Sequence, residues 1–388
     1  MNPLYAEALK LAENQAATPS AILKVAKATS DEAARWAFGQ WALRKRAQSK
    51  FARAYDMFFD QEGLEMSTHE ALADYHASLF PSEEPVYDLT AGIGADLIAL
   101  AKRGPAIGFE IDPARAEIAN HNLNVYDVEA EVHALPFLPE GWGGRGRGME
   151  GFESEDATNP RFIFADPARR SAGRRFTDPS EFQPNPVELI AQFKESQLGV
   201  IKLSPMLPDD FLDSLTPRLE FVSFGGECRE ALAIFGSQVQ EGRFAVQVET
   251  GSKLPADDLY LVESEDPLDY LYEADPAAIR AHALGNLCEE FELVALSSSN
   301  GYLTGSAEIE SPWLTGFRVL EFSRFDVKSL KKKLADLGSN TPTLKQRGTK
   351  LDLQKLQKQM ILRGNRALEV AFYAVGNSVR QGILERLR

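Results

Sequence analysis

Two acidic residues flank a glycine turn in the stretch VYDLTAGIGADLIALAKRGPAIGFEID, residues 86–112. Asp88 precedes the turn, Gly92 and Gly94 lie within it, and Glu110 ends a second apolar run. Because glycine has no Cβ, the backbone can turn sharply at these positions and let a ligand approach closely. A carboxylate at the end of the second strand can accept hydrogen bonds from both hydroxyls of a ribose. The spacing therefore predicts an adenosine-type ligand, either a dinucleotide or S-adenosylmethionine.

The residue at position 97 separates these two ligands. A dinucleotide-binding turn has a third glycine three residues after the second, where the helix packs against the strand, and this chain has Leu97 there. An acid directly before the turn resembles the first motif of the class I S-adenosylmethionine-dependent methyltransferases, and Glu110 resembles the acid of their second motif. The resemblance implies that the cofactor-binding residues are Asp88, Thr90, Gly92, Gly94, Glu110 and Asp112.

Two later apolar runs also end in polar residues. RFIFAD ends at Asp166, and the run from Leu198 to Leu203 is followed by Ser204. Because the C-terminal ends of parallel strands meet at the edge where open α/β sheets bind ligands, these residues should converge with the glycine turn. In methyltransferases of this fold, the end of the fourth strand conventionally faces the methyl group. The resemblance therefore makes the candidate catalytic residues Asp166, Pro167, Arg169 and Ser204, with Asp166 orienting the target.

The tetrapeptide from Asp166 to Arg169 departs from the pattern of the exocyclic-amine methyltransferases, in which two prolines and an aromatic residue follow Asp or Asn. It is closer to the motif of the RNA 5-methyluridine methyltransferases, which attack the pyrimidine ring through a cysteine placed after the next strand. Ser204 stands at that position here, and a serine hydroxyl without an adjacent base is a weak nucleophile. Cys228 follows the sixth predicted strand and is either a nucleophile for this site or a buried structural thiol.

Three motifs, FADPARRS, IKLSPM and GGECREAL, together with a helical N-terminal segment and a basic C-terminal module, resemble one bacterial family. These are class I S-adenosylmethionine-dependent methyltransferases with a THUMP-like domain at the C-terminus, and the resemblance covers essentially the whole chain. It implies a Rossmann-like α/β fold with a seven-stranded sheet, an N-terminal helical domain and a small C-terminal α+β domain. THUMP domains belong to RNA-modifying enzymes and help to hold tRNA. The resemblance therefore implies a tRNA or rRNA base as substrate, although the C-terminal module is shorter than a full THUMP domain and lacks an obvious companion ferredoxin-like domain.

Hydrophobic periodicity divides the chain into four parts. Runs at Glu220 to Phe224 and Arg243 to Glu249 predict an antiparallel pair of strands that completes the methyltransferase sheet. The C-terminal module predicts a strand, two helices joined by a polar linker, and a final strand. The predicted domains are an N-terminal helical domain (1–80), a methyltransferase domain (81–262), a connecting segment (263–317) and a basic THUMP-like domain (318–388).

Charge is distributed unevenly along the chain. The formal net charge is −15, but residues 318–388 contain 16 Lys and Arg against 6 Asp and Glu. This module carries +10 and the rest of the chain −25, an asymmetry typical of nucleic-acid-binding proteins, although a solvated helical surface would look the same. A second basic cluster follows Asp166, where phosphate binding competes with pairing to nearby carboxylates. The candidate RNA-binding residues are Arg170, Arg174, Arg175, Lys331, Lys332 and Lys333.

Composition argues against several other classes of protein. Cys228 and Cys288 are too few for a disulfide framework or a zinc site, and the 5 histidines show no ligand spacing, so no metal is expected. The chain has no apolar run of about 18 residues and no basic start followed by an apolar core, so we expect a cytoplasmic protein without a membrane span. Three hypotheses remain: an RNA methyltransferase, a methyltransferase acting on a protein or small molecule, and a non-catalytic RNA-binding protein that retains the cofactor fold.

Overall fold

The chain forms two compact units in the computed structural model of the protein. The described residues are 2–135, 160–168, 170–171, 174–175, 178–296, 300–376 and 378–387. Unit 1 consists of residues 1–203, 209–217 and 233–240, and unit 2 of residues 204–208, 218–232 and 241–388.

Unit 1 begins with five helices. Asn2, Thr18 and Ser30 cap the first three, because each side-chain oxygen accepts a hydrogen bond from a backbone N–H of the first turn. Small alanine side chains form much of their shared core. In the described part of the chain, no helix is both long enough and apolar enough to cross a bilayer. The five helices are α1 (Pro3–Ala12), α2 (Pro19–Ala28), α3 (Asp31–Ala47), α4 (Gln61–Met66) and α5 (Glu70–Ser78).

A parallel β-sheet with intervening helices follows in unit 1. Its elements are β1 (Val86–Asp88), α6 (Ala95–Arg103), β2 (Ala106–Phe109), α7 (Pro113–Val125), β3 (Ala130–His133), β4 (Phe162–Ala165), β5 (Arg170–Ser171), β6 (Arg174–Arg175), α8 (Pro186–Phe193), β7 (Leu198–Leu203) and α9 (Asp209–Leu215). Five of these strands pair in the order β3-β2-β1-β4-β7, all parallel, and β5 and β6 form a short antiparallel hairpin. All residues of β1 and β4 are buried, as expected for central strands of a parallel sheet.

The first strands of unit 2 correct one part of the sequence interpretation. They are β8 (Arg218–Phe224), β9 (Glu227–Phe235, of which 227–232 belong to this unit), β10 (Gly242–Gln247) and β11 (Ser252–Pro255). The predicted antiparallel pairing of β8 with β10 is wrong, because these strands are parallel and the antiparallel partner of β10 is β11. A further strand that was not predicted is β9, which follows β8 through Gly225 and Gly226 at φ values of +64° and +73°. Two glycines in this left-handed region form the tight turn of a hairpin, so the pair Gly-Gly was the available indication.

The rest of unit 2 forms a second sheet. Its elements are β12 (Tyr270–Ala274), α10 (Pro276–Arg280), α11 (Leu284–Phe291), β13 (Val294–Ala295), β14 (Tyr302–Gly305), β15 (Leu314–Arg324), α12 (Val327–Asp336), β16 (Thr343–Arg347), α13 (Leu353–Gln359), β17 (Glu369–Val375) and β18 (Ser378–Arg386). Seven strands pair in the order β13-β14-β12-β15-β18-β17-β16. Residues 263–317 therefore add three strands to the sheet that residues 318–388 complete.

Two strands of this second sheet lie where the sequence analysis predicted none. β16 occupies the predicted polar linker and pairs in parallel with β17, while β18 lies between β15 and β17. Their sequences, TLKQR and SVRQGILER, are polar and contain no clear alternation. Pairing with β17 for β16, and with both β15 and β17 for β18, overrides such weak local preferences.

Candidate functional site

A cleft of about 440 Å³ opens at the edge of the unit 1 sheet where the parallel strands end. Residues that follow β1, β2, β3 and β4 line it, including Thr90, Glu110, Leu135 and Asp166. Residues of α4 and of the loop after it, up to Thr68, form another wall. This is the edge at which open α/β sheets bind ligands.

The glycine turn after β1 forms the floor of the cleft. Gly92 has φ +56° and Gly94 has φ +90°, both in the left-handed region that residues other than glycine rarely adopt. Gly94 is the N-cap of α6, so the turn leads directly into the N-terminus of that helix. The backbone at Gly92 lines the cleft without a side chain in the way.

Glu110 is fixed in the cleft wall by two backbone groups. Its Oε2 accepts a hydrogen bond from the Gly92 N–H at 3.0 Å, and its Oε1 accepts one from the Asp112 N–H at 2.9 Å. Each carboxylate oxygen can accept more than one hydrogen bond. The carboxylate is therefore held in place and can still accept hydrogen bonds from the two hydroxyls of a ribose.

Asp88 and Asp112 support this wall from outside the cleft lining. Asp88 is 1% exposed, and its Oδ1 accepts the Thr90 N–H at 3.0 Å. Its Oδ2 has no hydrogen-bond partner among the described residues. Burial, together with the charge of Asp96, raises the pKa of Asp88 well above its ordinary value. Asp112 is the N-cap of α7, where its Oδ1 accepts backbone N–H groups.

The four predicted catalytic residues differ in where the structure places them. Asp166 lines the cleft, and its backbone N–H donates to Thr90 Oγ1 at 2.6 Å. Pro167, the next residue, is buried. Arg169 lies outside the described residues. Ser204 belongs to unit 2, is not among the residues that line the cleft, and accepts the Met206 N–H through its own hydroxyl at 3.3 Å.

Sequence reasoning missed a string of polar side chains that reaches Asp166 from the protein interior. Lys202 Nζ pairs with Asp166 Oδ2 and donates to Thr68 Oγ1 at 2.7 Å. Thr68 Oγ1 in turn donates to Asp96 Oδ2 at 2.6 Å, and Asp96 Oδ1 lies 2.7 Å from His76 Nδ1. The available indication was a lysine in the otherwise apolar strand LGVIKL, since lysine is seldom inside a protein unless it is paired.

The pKa of Asp96 shows how strongly this string is coupled. Burial alone would raise that pKa, but hydrogen bonds from His76 and Thr68 and the charge of Lys202 lower it, and the net pKa is below the ordinary value for aspartate. The carboxylate is thus stable in its ionised form in the interior.

Lys50 holds the N-terminal wall of the cleft in place. Its Nζ donates to the backbone oxygens of Leu64 at 2.8 Å and Ser67 at 2.6 Å, at the end of α4. Burial, and then the charge of Lys202, lower the pKa of Lys50 to about 8. The N-terminal helices therefore help to build the cleft.

Comparison with known proteins shows the fold of the chain and which proteins it resembles. The family described as THUMP domain-like matches residues 314–384. Two proteins of Mycobacterium tuberculosis, from strains CDC 1551 and H37Rv and each named an uncharacterized S-adenosylmethionine-dependent methyltransferase, are 27% identical to this chain over 363 residues, which is 90% of this chain and 95% of theirs. The crystal structure of a candidate methyltransferase from Porphyromonas gingivalis W83 has a TM-score of 0.79 at 20% identity and covers 99% of this chain and 98% of its own, so the two share a fold.

The chain is a class I S-adenosylmethionine-dependent methyltransferase with a C-terminal THUMP-like domain. The methyl donor carries its reactive methyl group on a sulfonium. The cleft fits such a molecule, because Glu110 offers acceptors for a ribose and the apolar side chains of Phe109, Ile111 and Leu135 line the cleft for a purine ring.

Neither cysteine of the methyltransferase has the character of a nucleophile. Burial raises the pKa of Cys228 to about 12 and that of Cys288 to about 11. Since the thiolate is the reactive form, these raised pKa values disfavour reaction of both thiols near neutral pH. Of the two interpretations of Cys228, these properties favour the buried structural thiol.

The predicted RNA-binding residues lie in two places. Arg170, Arg174 and Arg175 belong to the β5–β6 hairpin of unit 1. Lys331, Lys332 and Lys333 lie on α12 in unit 2, where the first two are exposed. Lys333 is different, because its Nζ pairs with Glu321 Oε2 at 2.6 Å.

Proposed function

We propose that this methyltransferase acts on RNA in the cytoplasm, with tRNA or rRNA as the substrate. The observation that carries the proposal is an exposed row of lysines on the two helices of the THUMP-like domain. The match of residues 314–384 to the THUMP domain-like family supports it.

The helices α12 and α13 turn their lysines away from a common core. Asp326 and Asp352 cap the two helices through backbone N–H groups of the first turn. Apolar residues of both helices, including Leu330 and Leu356, pack with Val370 of β17 in one hydrophobic cluster. The opposite faces carry the exposed lysines Lys328, Lys331, Lys332, Lys355 and Lys358.

The spacing of these lysines places those of each helix on one face. Lys328, Lys331 and Lys332 are three and four residues apart on α12, and Lys355 and Lys358 are three residues apart on α13, so each set lies on one helix face. None of the five forms an ion pair with another described residue. We name these five residues the lysine face.

Carboxylates already neutralise other cations of the same module. Lys345 Nζ lies 2.7 Å from Glu273 and 2.8 Å from Glu369, and Arg386 also pairs with Glu369. Arg366 and Arg380 pair with other glutamates. The lysine face therefore presents five positive charges that pair with no described carboxylate, and phosphate binding needs such cations.

RNA binding at different salt concentrations tests the proposal. The double variant Lys331→Ala/Lys332→Ala should bind a tRNA or an rRNA fragment more weakly, and each lost phosphate contact should reduce the slope of log K against log salt by roughly 0.7–0.9. The double variant Lys24→Ala/Lys27→Ala is the matched control, because it also removes two exposed lysines from one helix, here α2.

Equal slopes for the two double variants would contradict the assignment of the lysine face. Binding to RNA that stays negligible at low salt would favour a protein or small-molecule substrate. Transfer of a methyl group to RNA from a strain lacking the gene, lost in Asp166→Ala, would exclude a non-catalytic RNA-binding protein.

A further inference from the structure

We propose that Lys202 is a positioning residue that keeps Asp166 ionised at the cleft, and that Asp166 accepts the proton of an N–H or O–H group of the substrate. The methylated atom is then nitrogen or oxygen and not a ring carbon. This inference rests on the proposed function, since it names the class of atom that the same site would methylate.

Lys202 and Asp166 are in direct contact at the cleft. Lys202 Nζ pairs directly with Asp166 Oδ2, and the two side chains are 13% and 28% exposed. Asp166 itself lines the cleft. An opposite charge in contact, partly shielded from water, favours the ionised form of a carboxyl group, so the cleft contains a carboxylate.

Lys202 is held in place by several neighbouring groups. It lies in β7, next to β4 in the sheet, and its Nζ also donates to Thr68 Oγ1, which donates to Asp96. His76, which is fully buried, anchors Asp96. Lys202 is thus fixed by groups from the strand, the N-terminal loop and two helices, which is the support that a positioning residue requires.

Other charged groups act on the same pair. The carboxyl group of Asp88 interacts electrostatically with those of Asp96, Glu110 and Asp166. Asp96 also interacts with the charge of Lys202. Lys50 is near enough to Lys202 for the two charges to interact. With this surplus of carboxyl groups, Asp166 would lose its ionised form more easily without Lys202.

A carboxylate at this position favours one class of methyl-accepting atom. A carboxylate can accept a proton from an N–H or O–H group of the substrate. As it does so, the nitrogen or oxygen forms a bond to the methyl carbon, and the bond from that carbon to sulfur breaks. The proton then passes from Asp166 to water. Methylation at a pyrimidine carbon in the manner of the 5-methyluridine enzymes needs a cysteine to activate the ring. No cysteine is among the described residues that line the cleft, and the pKa values of both thiols are raised.

A titration of the protein without ligands tests the pairing. Infrared difference spectra of carboxyl-labelled wild type and Asp166→Asn isolate the signal of this one side chain. Wild type should show a carboxylate at mildly acidic pH, Lys202→Met a protonated carboxyl group, and Lys202→Arg a carboxylate again. Lys102→Met is the matched control, because Lys102 pairs with Glu70 at 2.9 Å outside the cleft lining. An ionised Asp166 in Lys202→Met would overturn the inference.

The pH dependence of single-turnover methyl transfer gives an independent measurement. The acidic limb should move to higher pH by about one unit or more in Lys202→Met, because loss of a contacting positive charge disfavours the carboxylate, and Lys202→Arg should largely reverse the shift. Lys202 is not among the residues lining the cleft, so the affinity for S-adenosylhomocysteine should stay as in wild type and show that the variants are folded. An unmoved limb in a variant that binds S-adenosylhomocysteine would overturn the inference.

Mass spectrometry of nucleosides decides the acceptor class. An N- or O-methylated nucleoside made by wild type supports the inference, and a C-methylated pyrimidine overturns it while leaving the proposed RNA substrate intact. If wild type binds S-adenosylhomocysteine and methylates no RNA, the proposed function fails, and the infrared titration still decides the pairing of Lys202 with Asp166.

Discussion

Replacing Asp96 with alanine removes the carboxylate at the centre of the buried polar string. Its two oxygens lie 2.7 Å from His76 Nδ1 and 2.6 Å from Thr68 Oγ1, and His76 is 0% exposed. In the variant, the imidazole of His76 faces a cavity, and its Nδ1 has lost the Asp96 carboxylate as hydrogen-bond acceptor. Removing one partner of a buried pair costs about 3–5 kcal/mol. At about 2–4 °C for each kcal/mol in a unit of this size, the melting temperature should fall by roughly 6–20 °C.

The pH dependence of this effect has a definite sign. The pKa of Asp96 is lower than that of an ordinary aspartate, because the hydrogen bonds from His76 and Thr68 and the charge of Lys202 outweigh the raising effect of burial. Such a carboxyl group stabilises the folded protein above its unfolded pKa of about 4, and this stabilisation is lost as the pH falls through the folded value. The difference in melting temperature between wild type and Asp96→Ala should therefore shrink below about pH 4.

Thermal unfolding followed by circular dichroism at pH 7 and at decreasing pH measures both effects. Asp74→Ala is the matched control, because Asp74 is exposed on the neighbouring helix α5 and substitutions at exposed sites usually change stability by less than about 0.5 kcal/mol. A loss in Asp96→Ala no larger than in Asp74→Ala would refute the reasoning about burial. A difference that stays constant down to low pH would refute the reasoning about ionisation.

Three further predictions concern the cleft, the sheet and the thiols. Glu110→Ala should weaken the binding of S-adenosylhomocysteine about 10- to 100-fold in calorimetry, since hydrogen bonds to a charged group contribute about 1.5–3 kcal/mol, whereas Glu131→Ala, at an exposed position on β3, should leave it unchanged. Gly199→Ala should destabilise the protein by about 1–3 kcal/mol in chemical unfolding, because a Cβ there would overlap the Phe235 ring; Gly39→Ala, where a Cβ meets nothing within 4 Å, should not. Cys228→Ser should keep full methyl transfer, and loss of activity in this variant would show that the thiol takes part. A thiol reagent at pH 8 should modify Cys228 far faster after denaturation than before it, because the pKa of the thiol in the folded protein is about 12.

Local patterns were sufficient for much of unit 1. The apolar run from Leu198 to Leu203 forms β7 with the same bounds, because an apolar run with clear ends specifies a strand. Local patterns did not predict β16 and β18, which are polar strands stabilised by pairing with β17 and, for β18, also with the distant strand β15. The domain boundaries and the roles of the site residues stay predictions.

The lysine face shows the same limit for charge. Counting residues finds the excess of +10 in residues 318–388, but counting cannot tell Lys332, which is exposed, from Lys333, which pairs with Glu321. The difference is set by which side chain turns towards β15, and only the packed sheet determines that.

The sequence by itself determined the glycine turn and Glu110, because the turn, the strand and the acid lie within one short stretch whose local conformational requirements can be read residue by residue. Only the tertiary structure decided that Lys202 pairs with Asp166 and donates to Thr68. The same holds for the hydrogen bonds that connect Thr68 with Asp96 and Asp96 with His76. Thr68 and Lys202 are 134 residues apart in the chain. Such a contact depends on which strands lie side by side and which helices cover them, and the free energy that selects this arrangement is spread over the whole core.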